Sequence, residues 1–190
     1  MNKTLLVSAL GAVFLLGTIG WATGSDRHER GEREDEEHDG LFADSAMRAQ
    51  DPVYQAECGS CHLAYPPGLL PGASWQRIMT RLEDHFGDNA ALDASTAGHI
   101  GRFLQASAAD ASRWGRSARI AGSLSGREPP MRITDTAYFK HHHEEIPNRL
   151  VATNPDVGSY SRCDACHQGA SRGDFDEHAV RIPGLGPWHD

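Results

Sequence analysis

Hydrophobic and polar residues fall in blocks along this chain, and each block predicts a different kind of structure. Leu5 to Gly20 is an apolar run broken only by Ser8 and Thr18. Ser25 to Gly40 is dense in charge and holds no aliphatic or aromatic residue. Such a segment cannot bury enough surface to fold, so 25–44 reads as a solvated tether. From about residue 45 the pattern becomes helical. Asp51 before Pro52 marks a helix start, with Val53 and Tyr54 as its anchors. Ala64 to Gly72 is rich in Pro and Gly and predicts a loop. Ser74 is placed to cap a second helix whose Trp75, Ile78, Met79, Leu82 and Phe86 share one face, with Gly87 as its end. A third helix is predicted from Asp93 to about Ala109, burying Ile100, Phe103 and Leu104. Arg113 to Arg119 is basic, and Ala121 to Pro130 has the composition of a linker. Beyond it lie a short helical stretch from Thr136 to Glu145, turns from Pro147 to Tyr160 and an extended end from Phe175. No strand alternation is visible. The fold class is mainly α, with a helical first domain at 45–124 and a smaller, loop-rich second domain at 125–190.

The N-terminus changes this picture by placing the chain. Met1-Asn2-Lys3 followed by the apolar run has the form of an export signal, with small residues around Ala22 offering a cleavage site. Residues 1–24 are therefore a signal peptide or an uncleaved anchor, since the run approaches the roughly 20 apolar residues that span a bilayer. Either way the rest lies outside the cytoplasm, and any membrane contact is through that anchor. The net charge of −8 and the lack of a basic stripe exclude nucleic acid as a partner. An acidic surface favours docking to a protein with a positive face.

The four cysteines bring in the chemistry. They form Cys58-Gly-Ser-Cys61-His62 and Cys163-Asp-Ala-Cys166-His167. This motif is that of covalent haem attachment: the two thiols take up the vinyl groups of one porphyrin while the adjacent His meets the iron. Two haems c follow, with His62 and His167 as proximal ligands. Zinc pairs lie much closer together in sequence, and neither zinc nor disulfides explain a His after both pairs. Two large apolar cofactors also compensate for the low apolar content of the chain. The sixth ligands decide the function, because a filled position gives an electron carrier and an open one binds or activates a small molecule. His85, on the rim of an apolar helix face, is either a ligand or a packed core residue, with Met79 as its rival. Among His141, His142 and His143, the last shares a face with Phe139 and Ile146, while His142 remains the alternative. His99, His178 and His189 are left unassigned.

Several of these residues form a longer pattern: Trp75-x-x-Ile78, Leu82-x-x-His85-Phe86-Gly87-x-Asn89-Ala90, Arg132-Ile133-Thr134-x-Thr136, Tyr138-Phe139-x-x-x-His143 and the second haem motif. The pattern resembles the exported dihaem cytochrome c family of Gram-negative bacteria. The resemblance implies a class I cytochrome c-like first half, a less regular second half, and two six-coordinate bis-histidine irons. By proximity in sequence His85 pairs with His62 and His143 with His167, a crossed arrangement being the alternative. The resemblance also implies a periplasmic electron carrier rather than an enzyme, working with redox proteins such as a high-spin cytochrome c and a membrane cytochrome b. The alternative is a haem enzyme or small-ligand-binding protein with one five-coordinate iron. One departure from the family is Ala137, where Pro is usual. Two imidazoles on each iron predict lower potentials than a His/Met pair would give.

Overall fold

The structure, a computed structural model, describes residues 44–188. The export signal, nearly all of the tether and His189 lie outside these residues. The chain is mainly helical, as expected, with seven α-helices, several single 3-10 turns and one minimal hairpin among the described residues.

Local capping explains most helix starts. In α1 (Ser45–Arg48) the Asp44 carboxylate accepts from Met47 N, and in α2 (Pro52–Cys58) Asp51 accepts from Tyr54 N with Pro52 in the first turn. Asp93 caps α4 (Ala94–Ala106) by accepting from Ser95 N and Thr96 N. Thr136 caps α6 (Ala137–His142), its hydroxyl accepting from Phe139 N and donating to Ile133 O. Ala137 takes the first helical position, where Pro would also fit because no intrahelical N–H bond is lost.

Two helices differ from the sequence reading. Helix α3 spans Gly72–Met79 rather than starting at Ser74 and running to Phe86. Pro71 sets its entry, the Asp110 carboxylate accepts from Gly72 N at 2.9 Å, and Ser74 is fully buried inside the first turn. After Met79 other hydrogen bonds replace the helical ladder. Ala90 N donates to Leu82 O at 2.8 Å, and His85 and Asp88 exchange backbone bonds of 2.8 and 3.2 Å across a tight turn. Phe86 adopts a left-handed φ of 59° and Gly87 one of 105° to make that turn. The second difference is α5 (Gly115–Ser123), which lies partly in the presumed linker. Ile120 is its one buried aliphatic residue, with Ser117 buried beside it and Ala121 partly buried, so few apolar positions announce it.

Two hydrophobic clusters organise the packing. One joins Tyr54, Leu70, Trp75, Ile78, Ile100 and Leu104 where α3 lies against α4, and buried Trp75 Nε1 donates to Pro67 O at 2.8 Å. The other joins Met47, Leu69, Ala109 and Ile120 between α1, α5 and the 3-10 turn Pro67–Leu69. Asp44 ties these together, accepting from Ser117 N at 2.7 Å and Ser117 Oγ at 2.9 Å. In the later part, α7 (Cys163–Cys166) is a single turn. The end is not wholly extended: β1 (Arg181–Ile182) and β2 (Gly186–Pro187) pair antiparallel, Ile182 opposite Gly186, with Ile182 buried. Gly173, at φ 73°, comes so close to α1 that a Cβ there would collide with the Met47 carbonyl.

Candidate functional site

The fold brings the proposed ligands together in two opposed pairs. His62, four residues beyond the end of α2, faces His85 from the turn after α3, with ring centroids 6.1 Å apart and planes inclined by 19°. His167, directly after α7, faces His143 at the end of α6, with centroids 6.2 Å apart and planes inclined by 67°. In each pair the facing rings come from neighbouring parts of the sequence.

These spans have a chemical meaning. Metal–nitrogen bonds of about 2.0 Å, plus about 1.1 Å from each nitrogen to its ring centre, separate trans imidazole centroids by about 6.2 Å. Each pair thus leaves room for one metal ion between its rings. Hydrogen bonds set the tautomer of one ring in each pair. His62 Nδ1 lies 2.7 Å from Leu63 O and His143 Nδ1 lies 2.9 Å from Phe139 O. A carbonyl only accepts, so Nδ1 carries the proton in both, and the Nε2 lone pair is left for a metal. His167 Nδ1 is buried without a hydrogen-bond partner.

Electrostatics favour the neutral, ligating form. Burial, then the neighbouring His62, lowers the pKa of His85. Burial lowers that of His143, and pushes His167 down to about 4 with help from His143 and Arg116. Metal ligation requires the deprotonated imidazole, so these environments suit it. Burial also raises the Cys58 and Cys163 thiols to about 11. None of the four cysteines is in a disulfide.

The second pair opens on a cleft of about 1030 Å³. That lies at the upper end of the roughly 300–1,000 Å³ common for cofactor sites. Its walls come from both parts of the chain: Met47 and Ile120 on one side, Cys163, Cys166 and Val180 on the other. Phe139 stacks on His143 at 3.9 Å, and Phe175 meets His167 edge-on at 5.2 Å. A second groove, of about 660 Å³, runs between Cys61, His62 and Tyr65 of the first motif and Ser161, Arg162 and Asp164 beside the second. The donor sets and ring spans suit two haems, and the second cleft adds apolar walls; each haem would be held by the two cysteines of one motif and one opposed pair of histidines.

The other candidates are placed elsewhere. Met79 packs half-buried against the first hydrophobic cluster. His142 lies against the Tyr138 ring at 4.3 Å, on the wall of the second cleft, and His141 pairs with Glu144 near the surface. His99 meets the Asp51 carboxylate at 2.8 Å, while His178 sits exposed in the 3-10 turn Glu177–Ala179. Sequence reasoning missed Tyr65, which stacks on His62 at 4.9 Å, and Arg132, whose guanidinium covers the Phe86 ring at 4.1 Å. Tyr65 lies three residues after His62, and that spacing was the available signal.

The profile of the family described as Dihaem cytochrome c matches residues 54–175. Among solved structures, a dihaem cytochrome c from Shewanella baltica is 40% identical, with a TM-score of 0.59, covering 78% of this chain and 100% of that one. A dihaem cytochrome c from Rhodobacter sphaeroides is 42% identical, also at 0.59, covering 66% of this chain and 97% of that one. No curated protein matches.

Proposed function

Because the chain belongs to the dihaem cytochrome c family, we propose that it carries single electrons between redox proteins in the periplasm, with His62 and His85 on one haem iron and His167 and His143 on the other. Haem-based electron transfer and two covalently attached haem c groups come with the family. The observation that carries the finer reading is that His62 faces His85 and His167 faces His143, with ring centroids 6.1 and 6.2 Å apart. An iron whose two axial places are filled by protein offers none to a substrate, which favours a carrier over an enzyme.

When bound, each haem supplies a one-electron Fe(III)/Fe(II) couple. The chain does the rest. The cysteines hold the macrocycles permanently. The Leu63 and Phe139 carbonyls fix the tautomer and orientation of His62 and His143, and such hydrogen bonds raise ligand basicity. Two imidazoles per iron keep both potentials below those of His/Met cytochromes. Among the described residues no helix is long and apolar enough to cross a membrane. The export-type N-terminus supports a periplasmic site. The net charge of −8 fits partners with a positive docking face, and the resemblance to the family suggests a high-spin cytochrome c and a membrane cytochrome b among them.

The test is low-temperature electron paramagnetic resonance with near-infrared magnetic circular dichroism on the ferric protein. Two low-spin bis-histidine centres are expected. The near-parallel rings at 19° give a rhombic signal and the crossed rings at 67° a strongly anisotropic one. A high-spin or His/Met centre at either site would withdraw that ligand assignment and shift the reading toward an enzyme.

A further inference from the structure

One residue touches both sites without ligating either. Tyr65 stacks on the His62 ring, with centroids 4.9 Å apart and planes inclined by 26°. Its hydroxyl donates to Ser161 O at 2.8 Å, across 96 residues of sequence. The same carbonyl lies 3.8 Å from Cys163 Sγ, the first attachment atom of the second motif. Tyr65 is held from behind, since buried Tyr54 donates its hydroxyl to Tyr65 O at 2.7 Å. Tyr65 lines the groove between the two motifs.

We propose that Tyr65 couples the two haems, its ring and hydroxyl forming the contact through which an electron passes between the His62 ligand and the Ser161–Cys163 segment. The proposal rests on the carrier reading above and names the residue that joins the two centres. The route is short in chemical terms: an axial imidazole, a stacked ring, one hydrogen bond, and two residues of backbone to a thioether sulfur. One electron leaves a ferrous iron, which becomes ferric, and reduces the other iron from ferric to ferrous. No proton moves and Tyr65 itself is not oxidised. A tyrosine phenol is protonated at neutral pH, so it keeps its role as donor. Once Cys163 is a thioether it cannot donate, which leaves the Ser161 carbonyl to Tyr65.

The test uses the full dihaem protein and two variants. Tyr65→Phe keeps the stack on His62 and removes the hydrogen bond to Ser161, and Tyr65→Leu removes both. The rate of electron exchange between haems is read from magnetisation transfer between haem methyl resonances in half-reduced protein. The two midpoint potentials and the two low-spin resonance signals are recorded beside it. Exchange is expected to slow severalfold in Tyr65→Phe and further in Tyr65→Leu, with potentials and low-spin signals of Tyr65→Phe unchanged. An unaltered rate in both variants would overturn the proposal. So would slowing in Tyr65→Phe accompanied by a lost low-spin signal or a shifted potential, because the hydroxyl would then act by holding the ligands. Failure of the carrier reading itself would show differently, as a missing bis-histidine signal in the unaltered protein.

Discussion

Replacing Asp44 by Ala should loosen the wall of the second haem cleft, and the structure gives the size of the effect. Asp44 accepts from Met47 N at 3.2 Å as the cap of α1, and from Ser117 N and Oγ at 2.7 and 2.9 Å at the first turn of α5. Loss of the cap costs about 1 kcal/mol. Loss of a charged acceptor from buried Ser117, whose N–H and hydroxyl are then left unpaired, costs about 2 kcal/mol more. A total of about 3 kcal/mol lowers the melting temperature by about 6–12 °C in a domain of this size. Thermal unfolding followed by far-ultraviolet circular dichroism and Soret absorbance reads this directly. Ser117→Ala provides the second leg of a double-mutant cycle. Its cost should largely vanish in the Asp44→Ala background, because the hydroxyl has lost its partner. A loss below about 1 kcal/mol, or additive effects of the two changes, would refute the account of Asp44 as the tie between α1 and α5.

Other outcomes follow from the same geometry. His143→Ala should convert one haem to a high-spin or ligand-accepting form and leave the other unaltered, whereas His142→Ala should leave both low-spin; visible absorbance with added cyanide distinguishes them. Gly173→Ala should cost about 2 kcal/mol in denaturant unfolding, because a Cβ meets the Met47 carbonyl at a left-handed φ. Asp51 has its pKa lowered, chiefly by the hydrogen bond from Tyr54 N. Its charged form therefore contributes stability above the unfolded carboxylate range, and this is lost as pH falls below about 4. Asp51→Asn, which keeps the cap, should flatten the acid limb of the stability curve measured in that range.

Much of the site could be read from the sequence because its signals are local. Each haem motif holds two thiols and an imidazole within five residues. Asp51 with Pro52, Asp93 and Thr136 cap their helices through bonds that reach only two or three residues along. The parts that escaped depend on distant partners. The apolar spacing from Trp75 to Phe86 looks helical, yet backbone bonds among Leu82, His85, Asp88 and Ala90 end the helix early and turn His85 toward His62. Helix α5 offers one buried aliphatic residue, and its first turn is tied through Ser117 to Asp44, seventy-three positions away. Tyr65 seemed an ordinary loop residue, since the chain gives no sign that Ser161 will be next to it.

The second cleft has walls drawn from α1 and α5 as well as from the segment that carries its own haem motif. Such a site resists modular reuse. Grafting residues 125–190 onto another cytochrome would leave behind Met47, Arg116 and Ile120, and the transplanted haem would lie against water on that side. In an engineered fusion the smallest transferable unit is therefore the whole stretch from Asp44 onward. The same reasoning bears on recombination in evolution: crossovers between relatives near the 121–130 segment join two unmatched halves of one wall, and selection should disfavour them unless α1, α5 and α6 travel together.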